Sequence, residues 1–482
     1  LPATNVYHGL TFGASSFGFN LSGNSLSFDA TASIINYSTT AQTIGNALVQ
    51  DNPLTIDADA GDLTFSGAVT LNTGSSLTVT GDNDTSFSGA ITGVGSLTKT
   101  GAGVLTLTGA NTYSGGTTVT AGSLVGNTSS LKGNIVNNAA LAFNQETAGA
   151  YAGVISGSGA LYKAGAGTLT LSGANTLTGM TTVTAGTLNL TGSTRGSLML
   201  NSGTTLTGAG TVGNGDDLLD VNGATVSVGN SIGTMNVNGD VDFNAASILA
   251  MEVQAGTTNS DLLNVSGAAF FADGATFSIS QFGGGTFAQS TYYTLVTAAG
   301  GFGATDVDNL VIDSSIADYR TALSISGNDL LLRVYQGITW TGDGANDNWS
   351  TAANWDNDPT GVGLDVDGEV LIFDGTGVTA TADAGTYTNI GGVEFTAGAG
   401  AFTLDGNELQ FNSGTQIVNN STLTQTIQND LTIASGQLTL NADAGDLDIQ
   451  GGVAVADANG LATDGANDTT ISGVISGAGG VV

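Results

Sequence analysis

The stretch Leu97–Leu124, LTKTGAGVLTLTGANTYSGGTTVTAGSL, recurs as Leu161–Leu188, LYKAGAGTLTLSGANTLTGMTTVTAGTL. Equivalent residues of the two copies lie 64 positions apart, as Lys99 and Lys163 do. A self-similarity at a fixed spacing is the signature of a repeat architecture. Inside the unit, apolar and hydroxyl residues alternate and glycine-rich turns follow, which is a strand pattern and not a helical one. The sequence therefore predicts a stack of short strands in which each coil buries its face on the next.

The alternation also predicts which side chains of the repeat face the interior. Leu105 and Leu107 are expected to point inward, as are Leu169 and Leu171 in the second copy. Thr106, which lies between the first two leucines, is expected to point outward because successive strand side chains alternate between the two faces.

Composition excludes several classes of protein. The chain has 482 residues with 75 Gly, no Cys and a formal charge of −34, from 40 acidic residues against six Lys and Arg. Without a basic footprint to neutralise phosphates, nucleic-acid binding is not expected. No apolar run of about 18 residues is present, so no membrane-spanning segment is predicted. The acidic surface is expected to stay soluble and to attract divalent cations.

The motif K-x-G-A-G-x-L-T-L-x-G-A-N-T-x-x-G-x-T-T-V-x-A-G-x-L, present in both copies, resembles the autotransporter-associated β-strand repeat. That repeat occurs in passenger regions of secreted bacterial surface proteins. The resemblance implies an all-β fold, a right-handed parallel β-helix (β-solenoid) with capping regions, exported and displayed outside the cell. It also implies coils of about 20 residues. No leader opens the chain and Leu1 is not an initiator Met, so we expect a window of a longer protein.

Changes in the sequence pattern along the chain predict three segments. Residues 1–227 are expected to form a β-helix that carries the two repeats, residues 228–336 its closing or cap region, and residues 337–482 the start of a next super-repeat. The closing region is placed by similarity to phrases that follow such repeats in autotransporter passengers: Val228–Val237, Asp261–Val265, Tyr292–Val296 and Leu323–Val334.

The third segment returns to the beginning of the chain. Leu21–Phe28, LSGNSLSF, matches Leu404–Phe411, LDGNELQF, at an offset of 383 residues. Asp59–Leu63 matches Asp443–Leu447 at an offset of 384. The sequence therefore holds about one and a quarter copies of a super-repeat.

All three tryptophans, Trp340, Trp349 and Trp355, lie in one stretch that opens at Ile338. One interpretation is an aromatic platform for carbohydrate, since sugar rings stack on exposed aromatic faces. The other is that the rings pack together and cover the apolar end of a β-helix as a cap.

No constellation for catalysis is apparent, and no catalytic, cofactor-binding or metal residue is assigned. The only histidine is His8, and no P-loop or zinc-ligand spacing occurs. β-helix polysaccharide lyases need Arg or Lys beside the substrate, but Lys99 and Lys163 are repeat-equivalent, which favours a structural role on a shared face. Calcium is left open at Asp-rich turns, since hard oxygen ligands suit it. These candidates are Asp343 with Asp347, Asp365 with Asp367, and Asp464 with Asp468.

The sequence thus predicts an extracellular structural protein of the bacterial cell surface and not an enzyme. It would be a segment of a long repetitive β-helical fibre or autotransporter-type passenger, used for adhesion or self-assembly, with head-to-tail association of copies as the expected partner contact. A carbohydrate-binding adhesin that uses Trp340, Trp349 and Trp355 is the alternative, and a polysaccharide-degrading β-helix enzyme comes third. A glycan or another cell-surface ligand remains open as a partner.

Overall fold

The computed structural model describes residues 6–229, 231–287, 290–303, 309–316, 319–335, 337–356, 370–383, 385, 387–411, 415–456 and 460–481. Within these ranges the chain folds into short β-strands, together with a 3-10 turn at Ala352–Asn354. Strands of consecutive coils pair in parallel, so the fold is a β-solenoid. The all-β, parallel β-solenoid fold predicted from the repeat is thereby confirmed.

The chain divides into two compact units. The first comprises Leu1–Gly284, Tyr293–Ser315 and Ile325–Leu331, and the second comprises Gly285–Tyr292, Ile316–Ser324 and Leu332–Val482. The segment boundaries predicted at residues 227/228 and 336/337 stay predictions.

In the first unit, each coil contributes a strand to successive positions of the same parallel sheets. Leu77, Leu97 and Thr117 are Cα partners in neighbouring strands and lie 20 residues apart, which gives the length of a coil in the first repeat. The strands up to the end of the first repeat are Val6–Tyr7, Leu10–Phe12, Asn20–Leu21, Ser27–Phe28, Ser33–Asn36, Gln42–Ile44, Leu48–Gln50, Leu54–Asp57, Leu63–Phe65, Val69–Leu71, Ser76–Thr80, Thr85–Phe87, Ile91–Gly93, Ser96–Lys99, Val104–Leu107, Thr117–Val119 and Ser123–Gly126.

The same arrangement continues through the second repeat. The strands that follow are Ile135–Asn137, Ala140–Asn144, Gly149–Tyr151, Ile155–Ser156, Ala160–Ala164, Thr168–Leu171, Thr181–Val183, Thr187–Leu190, Leu198–Leu200, Thr205–Gly208, Thr211–Val221, Thr225–Val228, Thr234–Phe243, Ile248–Gln254, Leu262–Val265, Ala269–Phe271 and Thr276–Phe282. Where the two units alternate along the chain, the strands are Ser290–Ala298, Val311–Ser314, Arg320–Ser326 and Asp329–Tyr335.

The core of the first unit is made of inward ladders of aliphatic side chains. Leu105, Leu169 and Leu171 are fully buried and Leu107 is buried as well, whereas Thr106 is half-buried on the outer face. The predicted facing of these residues is confirmed. Stacking adds to the ladders at Phe65 and Phe87, whose ring centroids lie 4.6 Å apart at an interplanar angle of 11°.

The second unit is built on three sheets, one of seven strands and two of five. Its strands are Ile338–Trp340, Trp355–Asp356, Val370–Phe373, Thr379–Ala382, Tyr387–Ile390, Gly392–Phe395, Thr403–Gly406, Leu409–Phe411, Thr415–Asn419, Gln425–Ile427, Leu431–Ile433, Leu438–Asn441, Leu447–Ile449, Val453–Val455, Leu461–Asp464, Thr469–Ile471 and Ile475–Gly477. Apart from the antiparallel contact between Ile338–Trp340 and Trp355–Asp356, these pairings are parallel.

The super-repeat found in the sequence is present in the hydrogen bonds of buried amides. Asn36 Nδ2 donates to the carbonyl oxygens of Thr40 and Asp62, at 3.1 Å each. Asn419, 383 positions later, donates to the carbonyls of Leu423 and Asp446, at 2.9 Å each. Both asparagines are fully buried. The two copies therefore share buried hydrogen bonds as well as sequence similarity.

Among the described residues, the chain contains no helix that is both long enough and apolar enough to cross a membrane.

Candidate functional site

The lysine of each repeat lies inside the solenoid. Lys99 and Lys163 are both 1% exposed. They occupy inward positions in their ladders, where Lys163 is the strand partner of Phe143 and Val183. Desolvation by burial lowers the pKa of both ammonium groups below the usual lysine range. The two lysines, for which a shared structural role was expected, therefore lie in the interior of the solenoid and not on its outer face.

The three donors of the Lys163 ammonium group meet three backbone carbonyls. Nζ donates to Ala164 O at 3.1 Å, to Gly165 O at 2.8 Å and to Ala185 O at 2.9 Å. Gly165 opens the Gly-Ala-Gly turn of the same coil and Ala164 directly precedes it, whereas Ala185 belongs to the Thr-Ala-Gly turn of the next coil. In the first copy, Lys99 Nζ donates to Gly101 O, the equivalent of Gly165. The lysine therefore joins the turns of neighbouring coils from inside.

Glycine at these turns is required by the close stacking of the coils. Gly186 has φ of +68°, and a Cβ there would lie 2.6 Å from Gly165 O. Any side chain at this position would both strain the backbone and push the two turns apart. This accounts for the K-x-G-A-G and V-x-A-G elements of the motif, which meet in space although about 20 residues separate them along the chain.

The three tryptophans form one packed cluster in the second unit. Trp340 and Trp355 meet edge to face with ring centroids 5.0 Å apart, and Trp349 and Trp355 do so at 5.6 Å. Trp349 also contacts Tyr387 at 5.2 Å, and Trp355 contacts Phe373 at 5.8 Å. Trp355 Nε1 donates to Trp349 O at 2.9 Å, which fixes the orientation of the indole ring.

Burial decides between the two interpretations of this cluster. Trp349 is 0% exposed, Trp340 2% and Trp355 6%. A sugar ring needs an open aromatic face, and none of these rings offers one. The strands that carry Trp355 and Trp340 are the first two of the seven-stranded sheet. The structure therefore favours the packing interpretation, in which the rings cover one end of that sheet.

A fully buried asparagine organises the loop that carries Trp349. Asn354 Nδ2 donates to the carbonyls of Asn346 and Asn348, at 2.6 and 2.9 Å, and Asn354 Oδ1 accepts the Gly344 N–H at 2.6 Å. The N–H and the hydroxyl of Ser350 both donate to the Asp383 carboxylate. Desolvation raises the pKa of Asp383, but the hydrogen bonds outweigh it and hold the pKa below its usual range. The polar groups of the loop thus serve its folding.

Comparison with known proteins identifies the repeats. A family model described as Passenger-associated-transport-repeat matches residues 97–125 and 161–190, which are the two copies whose lysines and turns stack as described above. The chain carries two passenger-associated-transport repeats. The resemblance to autotransporter passenger repeats noted in the sequence is thereby confirmed.

One relative extends this likeness. The chain is 56% identical over 130 residues to "Adhesin BmaC autotransporter" of Brucella suis biovar 1 (strain 1330). The aligned part is 26% of this chain and 4% of that protein. The chain therefore corresponds to a small fraction of the curated relative that it matches.

The calcium candidates gain no support as a built site. Asp343 and Asp347 are exposed, and so are Asp464 and Asp468, while Asp365 and Asp367 lie outside the described residues. Asp464 Oδ1 accepts the N–H of Gly465 at 2.7 Å, which is ordinary turn chemistry. Within the described ranges no three carboxylate or histidine groups come together as metal ligands would. Calcium at these turns stays untested.

Outside the repeats, the remaining basic residues and His8 lie in separate places. Lys132 Nζ donates to Thr128 O at 2.8 Å, Arg320 pairs with Glu394, and the guanidinium of Arg333 lies 4.5 Å from the Tyr335 ring centroid. Arg195 is exposed, and His8 pairs with Asp29. The structure does not bring these residues together into one site.

A buried carboxylate joins two of the phrases assigned to the closing region, which sequence reasoning missed. Asp261 is 1% exposed, and its carboxylate accepts the N–H groups of Gly233 at 2.9 Å and of Glu252 at 2.7 Å. Burial raises the pKa of Asp261 to about 7, against the two backbone donors, which lower it. Asp261 opens one phrase and Gly233 lies in the other, so their joint appearance in the sequence was the available signal.

Proposed function

We propose that this chain is a structural segment of an adhesin-type passenger displayed outside a bacterial cell. The observation that carries the proposal is the pair of passenger-associated-transport repeats, which fold into continuous parallel ladders. The likeness to a curated autotransporter adhesin supports it. The segment would act through its stiffness and its regular surface, because backbone hydrogen bonds between coils and inward aliphatic ladders hold both.

The proposal includes a non-enzymatic role. Its support is the use to which the interior polar groups are put. The ammonium of Lys163 and the amides of Asn36 and Asn419 bind backbone carbonyls, so they serve the stacking of coils. A lyase mechanism would need Arg or Lys beside the substrate, and the lysines of both repeats are enclosed.

We also propose that the super-repeat continues in tandem in the full-length protein and that successive copies associate head to tail. The support is the recurrence of the same buried amide bonds after 383 residues. A heterologous contact that does not close into a ring produces a filament. Electron microscopy of the native material should show thin fibres with an axial repeat set by one unit. A monodisperse particle from the full-length protein would contradict this part of the proposal.

Surface display is tested with an antibody against residues 97–190 of the chain. Intact cells should be labelled, brief protease treatment of intact cells should remove the label, and deletion of the gene should lower attachment of the cells to a host surface. A cytoplasmic protein of the same cells serves as the control, and it should become labelled only after permeabilisation. Labelling of the chain only after permeabilisation would overturn the proposal.

A further inference from the structure

One corner of the first unit differs in character from the corresponding corner of the second. In the first unit, the strands Leu48–Gln50, Val69–Leu71 and Ile91–Gly93 form a three-stranded parallel sheet. Gln50 and Leu71 are register partners, and so are Leu71 and Gly93. The next residue of each coil therefore lies at the same corner. These residues are Asp51, Asn72 and Val94.

The three side chains border an open depression. Asn72 Nδ2 donates to Asp51 Oδ1 at 2.7 Å. Val94 is 54% exposed, although valine side chains are more often buried. Thr73 and Leu71 complete the lining together with Gly93, whose lack of a side chain leaves the depression open. The corner thus combines a carboxylate, an amide and a hydroxyl with the exposed apolar side chain of Val94.

In the second super-repeat copy, alanine occupies the three equivalent positions of this corner. Its strands Leu431–Ile433, Val453–Val455 and Ile475–Gly477 pair in parallel as those of the first copy do. The residues that follow these strands are Ala434, Ala456 and Ala478. Because the coils stack in both units, the polar groups of the first corner are not needed to form the fold. The corner of the first copy is therefore free to take part in recognition.

We propose that the corner formed by Asp51, Asn72, Thr73 and Val94 binds a neutral sugar ring of a cell-surface glycan. A carboxylate accepts hydrogen bonds from neighbouring sugar hydroxyls, while an amide and a hydroxyl can each both donate and accept. The exposed Val94 offers an apolar surface to the C–H face of the ring. In small-ligand sites a few converging polar groups beside an apolar surface fix the orientation of the ligand.

Charge selects the class of sugar. The corner carries one carboxylate and no cation among its lining residues, and the whole chain has a net charge of −34. An acidic sugar would be repelled both locally and at long range, whereas a neutral sugar would not. A calcium ion would need six to eight oxygen ligands, as a rule several of them carboxylates, and this corner has one carboxylate. The inference names a ligand class for the adhesin role proposed above. Its biological role rests on that proposal, whereas sugar binding by the purified chain does not.

The test uses the purified full chain and an array of neutral and acidic glycans, followed by titration of the strongest neutral glycan. Asp51→Ala and the double variant Asp51→Ala/Asn72→Ala place residues of the second copy at the corner. We expect each to weaken binding by at least about tenfold, the effect of losing one good hydrogen-bonded pair. Asp59→Ala removes an exposed carboxylate from another turn of the same unit and should leave affinity unchanged. Melting temperatures of all variants should match that of the parent chain.

A gain of binding sharpens the test. Ala434→Asp/Ala456→Asn/Ala478→Val places the residue types of Asp51, Asn72 and Val94 on the second unit, and we expect it to restore measurable binding to the double variant. Failure to bind any neutral glycan, binding that survives the double variant, or a preference for acidic glycans would overturn the inference. If cells that display the double variant still attach to the host surface, the adhesin proposal stands and attachment through this corner is excluded. If the chain proves not to be displayed, glycan binding by the purified chain still decides the corner.

Discussion

The two super-repeat copies are alike inside and different outside. Gln42 Oε1 accepts the N–H of Phe19 at 2.8 Å, and Gln425 Oε1 accepts the N–H of Phe402 at 2.8 Å, 383 residues later. On the outer face many positions carry different residue types in the two copies. Thr64 of the first copy, for example, corresponds to Asp448 of the second.

The difference has a physical cause. An inward amide must satisfy its hydrogen bonds within the solenoid, because an unpaired buried group costs about 1–3 kcal/mol. An outward side chain is solvated by water and can change without that cost. The interior of this fold is thus constrained by stacking, while the exterior is available for recognition.

The largest expected effect is at the leucine ladders that both copies share. Leu63 and Leu447 are 0% exposed. Leu63→Ala and Leu447→Ala should each lower the free energy of unfolding by about 2–5 kcal/mol, since a buried leucine is lost and a cavity is left. Hydrogen exchange of peptides from each unit would give the two losses separately.

The outward neighbours are the matched controls for these variants. Thr64→Ala and Asp448→Ala should each change the free energy of unfolding by about 0.5 kcal/mol or less, as surface substitutions do. A loss at either control as large as that at its leucine would show that the inside–outside comparison is wrong.

The next effect concerns the shared buried amides. Asn36→Ala and Asn419→Ala each leave two backbone carbonyls without their donor. Each should cost about 1–3 kcal/mol, and the two losses should agree. Asn407→Ala, at an exposed position of the second unit, is the control and should cost little. Clearly unequal losses at Asn36 and Asn419 would mean that the two networks are not equivalent.

A smaller effect, of opposite sign, is expected where the interiors differ. Gln50 is 0% exposed, and neither the oxygen nor the nitrogen of its amide has a hydrogen-bond partner among the described residues, whereas the second copy has Ile433 at the same position. Gln50→Ile should raise the free energy of unfolding by about 1 kcal/mol, because it removes a buried polar group. The reverse change, Ile433→Gln, should lower it. Chemical denaturation of both variants checks the signs, and a loss with Gln50→Ile would indicate that the glutamine has a partner.

The smallest effect should be that of calcium, which tests an external feature that the copies share. The Asp62 carboxylate accepts the N–H of Asp84 at 3.1 Å, and that of Asp446 accepts the N–H of Asp468 at 3.1 Å. Stacked carboxylates on a chain of charge −34 should make calcium raise the melting temperature more than sodium of equal ionic strength. Equal responses to the two salts would leave only general screening.

Sequence reasoning worked where the period of the pattern is set by local geometry. The alternation at Leu105 and Thr106 predicted their facing, because strand side chains must alternate. It did not show why a polar residue should occupy an inward position. Lys163 and Asn36 are polar and yet inward, since the turns that they satisfy come from other coils. For Asp261 the partner N–H of Gly233 lies 28 residues away. The joint presence of the two phrases signals that they are related, but it does not specify which atoms pair.

The sequence by itself determined the repeat, the stack of short strands and the inward aliphatic ladders, because periodicity and turn chemistry are properties of neighbouring residues. The parallel β-solenoid was implied by the resemblance of the repeat to a known family. Only the tertiary structure decided the burial of the tryptophans, the carbonyl partners of the repeat lysines and the corner at Asp51. Each of these depends on which coil lies above which. That vertical register is set by close contact of turns such as Gly165 and Gly186, and it brings together atoms that the chain holds far apart.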